Sequence, residues 1–224
     1  MRDPRKVLIA TPIRGNQTVT LYTAGMMGST GVYGGWLPMA GQSDVYVARN
    51  VLANEFINRK EFDTLVWIDS DIGFTREQLI ALIESDELMV SGLYTDKCQP
   101  PVPFCRDNTG LQLALEDIPK EGMIPTRFVP GGFLKVERKV YETLIEKGLL
   151  PTYGGGRFHH IYQGRIVLDN LLSEDYSFSD MVYQAGIQPW LNCGIRLNHD
   201  GRTPDPQAPI PISQPIPMTT VVAT

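Results

Sequence analysis

The chain is short of cysteine and of long apolar runs, and each shortage excludes a class of protein. Three cysteines in 224 residues, Cys98, Cys105 and Cys193, form an odd set. Their spacing matches neither a zinc site nor a redox pair, so a disulfide framework is excluded and reduced thiols are expected. The opening MRDPRKVLIATPIRG has only four or five consecutive apolar residues before Pro12 and Arg14. That reads as a strand, too short for a secretion signal or a membrane span. No other segment approaches a spanning length, and a cytoplasmic protein without a membrane span is expected. An excess of basic charge is missing too: the net charge is −5, which argues against broad capture of nucleic acid and leaves room only for a small local basic groove. No Gly-Lys-Ser or Gly-Lys-Thr follows the Gly154-Gly155-Gly156 run, so there is no P-loop. No G-x-S-x-G elbow is present, which excludes an α/β-hydrolase site.

What is present is the composition of a globular domain, 42% hydrophobic and 20% charged. The length suits one core, expected over residues 1–202. Residues 203–224, TPDPQAPIPISQPIPMTTVVAT, carry six prolines and cannot join a central sheet, because proline lacks the ladder N–H. Extended polyproline-type chain is expected there, free or laid over the body or a neighbouring subunit, which offers a route to a homo-oligomer.

Branched apolar runs at 6–11, 65–68 and 88–92 predict buried strands. Between them lie helical patterns. The spacing predicts a helix over 43–62, capped by Ser43, with Val45, Ala48, Leu52 and Phe56 on its buried stripe. Arg49 falls roughly 50–60° from the centre of that stripe, where it either snorkels along the core edge or reaches a diphosphate or base. Residues 17–35 hold five glycines between Gly25 and Gly35 and predict a helix fraying into a loop. Thr75 is placed to cap a helix over 75–85. Strand and helix in alternation predict an α/β fold, with a mostly parallel sheet covered on both faces.

Further on, 96–124 reads as a turn-rich excursion with a short strand at 111–115. A strand, a Pro130-Gly131-Gly132 turn and a helix over 137–147 follow, the helix closed by Gly148. Residues 152–164 form a glycine-rich loop. Ser173 is placed to cap a helix that runs to Ala185, with Phe178, Met181, Val182 and Ala185 buried.

TLVWIDSDIGF, residues 64–74, then delivers Asp69 and Asp71 to the end of a strand, the edge at which open α/β sheets bind ligands. Aspartate is about one residue in sixteen, so a D-x-D spacing is expected about once by accident, and position carries the argument. Two such carboxylates suit Mg²⁺ or Mn²⁺ bridged to substrate phosphates, or one caps the loop while the other is solvated. His199, after an apolar strand-like run, is either structural or a third ligand that tilts the preference towards Mn²⁺. Glu174 and Asp175 start a helix, where the macrodipole stabilises them by about 0.3–1 kcal/mol each; the functional alternative is a general base.

Together these pieces resemble the GT-A-fold glycosyltransferases, in particular the small family-two-like enzymes of bacteria and phages. The matching segments are VLIATPIRG, SDVYVARNVLANEF, LVWIDSDIGF, VSGLYTDK, VPGGFLKVERKVYETL, SEDYSFSDMVYQAG and LNHDG, in order over residues 5–201. The resemblance implies transfer of a sugar from a nucleotide-sugar donor, by family analogy a uridine diphosphate sugar, with Mn²⁺ or Mg²⁺. It implies Thr11, Pro12, Arg14 and Arg49 at the nucleotide and Lys97 loosely near the donor. Asp69 would sit at the ribose or the metal, Asp71 and His199 at the metal, and Gly131 and Gly132 beside donor sugar and acceptor. Within the acidic pair Glu174-Asp175, Asp175 would be the base of an inverting transfer. The proline-rich tail has no counterpart in the family, and the acceptor is open between a saccharide, a lipid-linked sugar, a protein and a hydroxymethylated base in phage DNA. For the last, Lys135, Arg138, Lys139, Arg157 and Arg165 are the cations that would have to gather on the acceptor side. Two rivals stand beside this reading: a haloacid-dehalogenase-type phosphatase with Asp69 as nucleophile, and a nucleotide-sugar-binding protein without turnover. The first places its aspartates after the first strand of the fold, whereas here a complete strand and helix precede them.

Overall fold

The computed structural model describes residues 2–14, 17–96, 101–167 and 170–200. Lys97, Cys98 and the tail from 203 onward lie outside the described residues. In chain order the first half comprises β1 (Val7–Arg14), α1 (Thr20–Gly28), β2 (Gly35–Gln42), α2 (Val45–Asn58), β3 (Thr64–Ile68), β4 (Ile72–Gly73), α3 (Arg76–Ile83) and β5 (Met89–Leu93). The second half comprises β6 (Met123–Pro125), β7 (Phe133–Glu137), α4 (Arg138–Glu146), β8 (Thr152–Tyr153), β9 (Phe158–His159), β10 (Arg165–Val167), β11 (Asn170–Leu172), α5 (Glu174–Gln184), β12 (Trp190–Arg196) and β13 (Asn198–His199).

Seven strands form one sheet in the order β2-β1-β3-β7-β5-β12-β6. β2, β1, β3, β5 and β12 share one direction, whereas β7 in the middle and β6 at the edge run against it. The alternation of side chains along each strand divides the core in two. Leu8, Ala10, Leu65 and Trp67 face a cluster built with α2, α4 and α5. Val7, Ile9, Val66 and Ile68 face a second cluster built with α1 and α3. The mostly parallel α/β sheet expected from the sequence is therefore present, with helices on both faces. Among the described residues no helix is long and apolar enough to cross a membrane, and Cys105 and Cys193 are free and buried.

Several local expectations are corrected. Residues 17–35 give the helix α1 and then a loop, as expected, but the chain next enters an unexpected β2, an edge strand paired in parallel with β1. Its GWLPMAGQ is interrupted by Pro38 and Gly41, which an edge position tolerates. α2 begins at Val45 after Asp44 and ends at Asn58, so Ser43 is not its cap. Residues 111–115 form no strand; a 3-10 turn at Leu115–Asp117 and isolated bridges take their place. The glycine-rich loop contains a small β8–β9 hairpin, turned by Gly154, Gly155 and Gly156, all at positive φ. Thr75 does cap α3, as a capping box with Gln78.

β7 sets the geometry of the site. Because it runs antiparallel, its first residue, Phe133, pairs with Ile68, the last residue of β3. The Pro130-Gly131-Gly132 segment therefore arrives at the same sheet edge as Asp69.

Candidate functional site

At that edge Asp69 N–H donates to the Gly132 carbonyl at 2.9 Å, which fastens the D-x-D loop to the glycine pair. The approach needs glycine: a Cβ on Gly132 would come within 2.5 Å of Tyr94 Oη and 3.1 Å of Asp69 Oδ2. A Cβ on Gly131 would come within 3.0 Å of the Asp175 side chain.

Arg49 lies beneath the loop. Its side chain is 2% exposed, at the middle of the buried face formed by Ala48, Leu52, Ala53 and Phe56. The expected stripe had included Val45, which is exposed at 41%; with Ala53 inside, the face rotates and Arg49 becomes its centre. Nη2 lies 2.9 Å from both carboxylate oxygens of Asp69, Nε 3.3 Å from Glu174 Oε1, and Nη1 donates to the Gly131 carbonyl at 3.2 Å. The guanidinium also lies 5.3 Å from the Trp67 ring centroid. Burial works against its charge, but the carboxylates of Asp69, Glu174 and Asp175 outweigh burial and raise its pKa. Burial pushes the Asp69 carboxyl up to about 6 against the pull of Arg49, with Asp71 adding to the rise. Glu174 is raised as well, first by burial and then by Asp175.

Asp71 points the other way and is 39% exposed. The short β13 pairs with β4 in the register His199 to Ile72, which sets the imidazole beside the loop. His199 Nδ1 lies 2.7 Å from the Thr95 carbonyl. A carbonyl only accepts, so Nδ1 carries a proton, and Nε2 is the nitrogen turned towards Asp71. Nε2 lies 3.4 Å from Asp71 Oδ2, so these two side chains are the ones that would hold a divalent ion at this edge. Among the described residues no cluster of three or more His, Cys, Asp or Glu could hold a metal. An ion held by two side chains would draw its remaining ligands from phosphate and water.

A cavity of about 430 Å³ opens over these groups, lined by Pro12, Arg14, Asp44, Tyr46, Asp69 and Asp71 among others. That volume is within the usual range for small-molecule sites. Thr11 does not reach it through its hydroxyl, which is fully buried, 2.8 Å from Tyr22 Oη, and accepts from Trp36 Nε1 at 3.2 Å. Arg49 likewise serves the cavity from below, through Asp69. Lys97 lies outside the described residues.

On the far side of Gly131 stands Asp175. Its Oδ2 accepts from Gly131 N–H at 3.0 Å, and its Oδ1 accepts from Tyr176 N–H at 2.8 Å and from the Ser173 hydroxyl. The Ser173 side chain is thus engaged with Asp175 and not with the backbone of α5. Three donors hold a carboxylate that has about four lone-pair sites, so it is oriented with acceptor capacity left. Of the cations considered for an acceptor face, Lys135 and Arg138 are used at the other end of the sheet. Lys135 Nζ sits 3.3 Å from Glu137, and Arg138 donates to carbonyls at the end of α2, including those of Phe56 and Arg59.

Sequence reasoning gave no role to Tyr94. Its hydroxyl accepts from Gly132 N–H at 2.8 Å, and its ring packs 5.3 Å from His199. It ties the glycine pair to the histidine. Its place directly after β5, at the ligand edge of the sheet, was the available signal.

No family model matches the sequence, and no curated protein matches it. Solved structures are similar in fold. A197 from STIV superposes with a TM-score of 0.55 at 14% identity, over 85% of this chain and 84% of that one. GalNAc-T7, crystallised with UDP, GalNAc and Mn²⁺, superposes with a TM-score of 0.50 at 12% identity, over 86% of this chain and 43% of that one. The chain therefore spans less than half the length of GalNAc-T7. The fold is GT-A.

Proposed function

We propose that the protein is a glycosyltransferase that moves a sugar from a nucleotide donor, a uridine diphosphate sugar, to an acceptor hydroxyl with inversion. The observation that carries this reading is the Asp71–His199 pair, 3.4 Å apart, at a cavity of about 430 Å³ that both Asp69 and Asp71 line. The similarity to a protein crystallised with UDP and Mn²⁺ supports the choice of donor and ion.

A Mn²⁺ or Mg²⁺ ion held by Asp71 and His199 would stabilise the negative charge on the departing diphosphate. Pro12, Arg14 and Tyr46 form the walls for the nucleoside. Asp175 takes the proton of the acceptor hydroxyl as its oxygen bonds to the anomeric carbon. The bond from that carbon to the diphosphate breaks, and its electron pair leaves with the diphosphate. Positioned general-base catalysis of this kind contributes about 10²–10⁴-fold. Phosphatase chemistry at Asp69 has no support, because both of its oxygens lie 2.9 Å from Arg49.

Calorimetry with UDP, with and without Mn²⁺, is the test. UDP binds only with the ion, and Asp71→Ala abolishes that dependence; absence of metal-dependent binding for every nucleoside diphosphate would sink the reading.

A further inference from the structure

A second cavity, of about 350 Å³, runs along the flank of α2, between Tyr46, Asn50 and Val51 on the helix and Pro151, Tyr153 and His160 across from it. The size is that of a small-molecule site. Its far wall is anchored. Asn50 and Asn54, one helical turn apart, are 5% and 3% exposed. Asn50 Oδ1 accepts from Ile161 and Tyr162 N–H at 2.7 and 3.0 Å, and its Nδ2 donates to the Tyr162 carbonyl at 2.5 Å. Asn54 accepts from His159 N–H and donates to its carbonyl, both at 2.8 Å. Two side-chain amides thus hold residues 159–162 as a neighbouring strand would. The β8–β9 hairpin is braced from within by Tyr153 stacked on Phe158, 5.5 Å between centroids.

The anchored groove nevertheless leaves Tyr46 and Tyr153 exposed at 43% and 47%. No lysine, arginine, aspartate or glutamate lines it. Tyr46 also lines the donor cavity, so the two spaces adjoin.

We propose that this groove binds the part of the acceptor remote from its reacting hydroxyl, which lies outside the groove at Asp175, and that the acceptor is a neutral saccharide; the assignment as acceptor rests on the glycosyltransferase reading. A pyranose offers one face of C–H bonds and a rim of hydroxyls. The first matches the flat rings of Tyr46 and Tyr153, and the second matches their phenol hydroxyls, Thr152 and the His160 imidazole. Absence of charge in the lining removes the complementarity that a phosphate or an ionic peptide would need. The same absence counts against a base within DNA, whose backbone calls for lysine and arginine at the contact surface. Tyr46, which lines both spaces, would bring a saccharide in the groove towards the proposed donor cavity.

Saturation-transfer NMR on the full chain with maltose, cellobiose and chitobiose tests this, with UDP and Mn²⁺ titrated separately. At least one disaccharide binds at millimolar strength, and Tyr153→Ala weakens it about tenfold. Val51→Glu, on the exposed flank of α2 and clear of the hairpin, puts a charge into the groove and does the same; Leu111→Ala, at a distant exposed site, does not. Failure of all three sugars to bind while UDP and Mn²⁺ bind overturns the proposal. So does binding that both groove variants leave unchanged. Sugar binding lost in both variants, without any nucleotide binding, would keep the groove as a saccharide site and overturn the donor reading instead.

Discussion

Replacing Arg49 by methionine should be among the most damaging single changes in the protein. The guanidinium is 2% exposed, and its two carboxylate partners, Asp69 and Glu174, are 25% and 16% exposed. Methionine fills much of the same volume, so the cost is electrostatic: two carboxylates remain beneath the cavity with their shared cation gone. Breaking a buried ion pair from one side costs about 3–5 kcal/mol, against a total stability of about 5–15 kcal/mol for a domain. Urea unfolding at neutral pH should show a midpoint lowered by about a fifth or more with an unchanged slope. Adding Asp69→Asn to Arg49→Met removes one of the stranded charges and should recover about 1–3 kcal/mol, the usual scale of coupling between contacting residues. If Arg49→Met costs less than about 1 kcal/mol, or if the double variant is additive, the guanidinium is not compensating these carboxylates and the account of the site's foundation is wrong.

Other outcomes follow from the same geometry. Asp175→Asn should retain UDP and Mn²⁺ binding by calorimetry and lose about 10²–10⁴-fold in transfer rate; full turnover would remove it as the base. Gly132→Ala brings a methyl within 2.5 Å of Tyr94 Oη and should cost about 1–3 kcal/mol in urea unfolding, with the pairing Tyr94→Phe failing to relieve it fully because the ring itself is also close. Lys135 is fully buried, and burial lowers its pKa from 10.5 to about 8. Between those values the unfolded chain binds more protons than the folded one, so this residue makes stability rise with pH by up to about 3 kcal/mol. Urea unfolding of the unaltered protein should therefore show this rise between about pH 8 and 10.5, and Lys135→Met should lack it; pH profiles that run parallel in the two proteins would refute the shift.

What could be read from the sequence was what local pattern encodes. TLVWI is apolar on both faces and becomes a central strand, and Thr75 with Gln78 writes a capping box into four residues. β2 escaped because its residue types do not alternate between apolar and polar, although their burial does, and because it carries Pro38. The direction of β7 escaped for another reason: FLKVE is compatible with either orientation, and the turn before it decides. Arg49 was placed to within one helix position and still misjudged. A hydrophobic stripe has no term for a charge whose partners lie 20 and 125 positions away. The Asp71–His199 pair was nameable from residue type, but its contact depends on a two-residue strand, β13, too short to leave a periodic signal.

The same peptide segment joins the foundation of the site to its chemistry. Gly131 donates its N–H to Asp175 and accepts at its carbonyl from Arg49, while the next carbonyl, that of Gly132, holds the Asp69 amide. The D-x-D loop, the buried cation and the proposed base are thus registered against two consecutive glycines that have no side chains to move. A displacement of Arg49 is then transmitted in two directions, to Asp69 at the floor of the donor cavity and to Asp175 across the glycines. Arg49→Lys separates these effects. It keeps the charge that balances Asp69 but cannot reach Asp69, Glu174 and the Gly131 carbonyl at once with a single nitrogen. Its stability should recover more completely than its transfer rate, because orientation of the base is sensitive to shifts that folding tolerates. Equal recovery of both would mean that the glycine pair holds Asp175 without help from the cation.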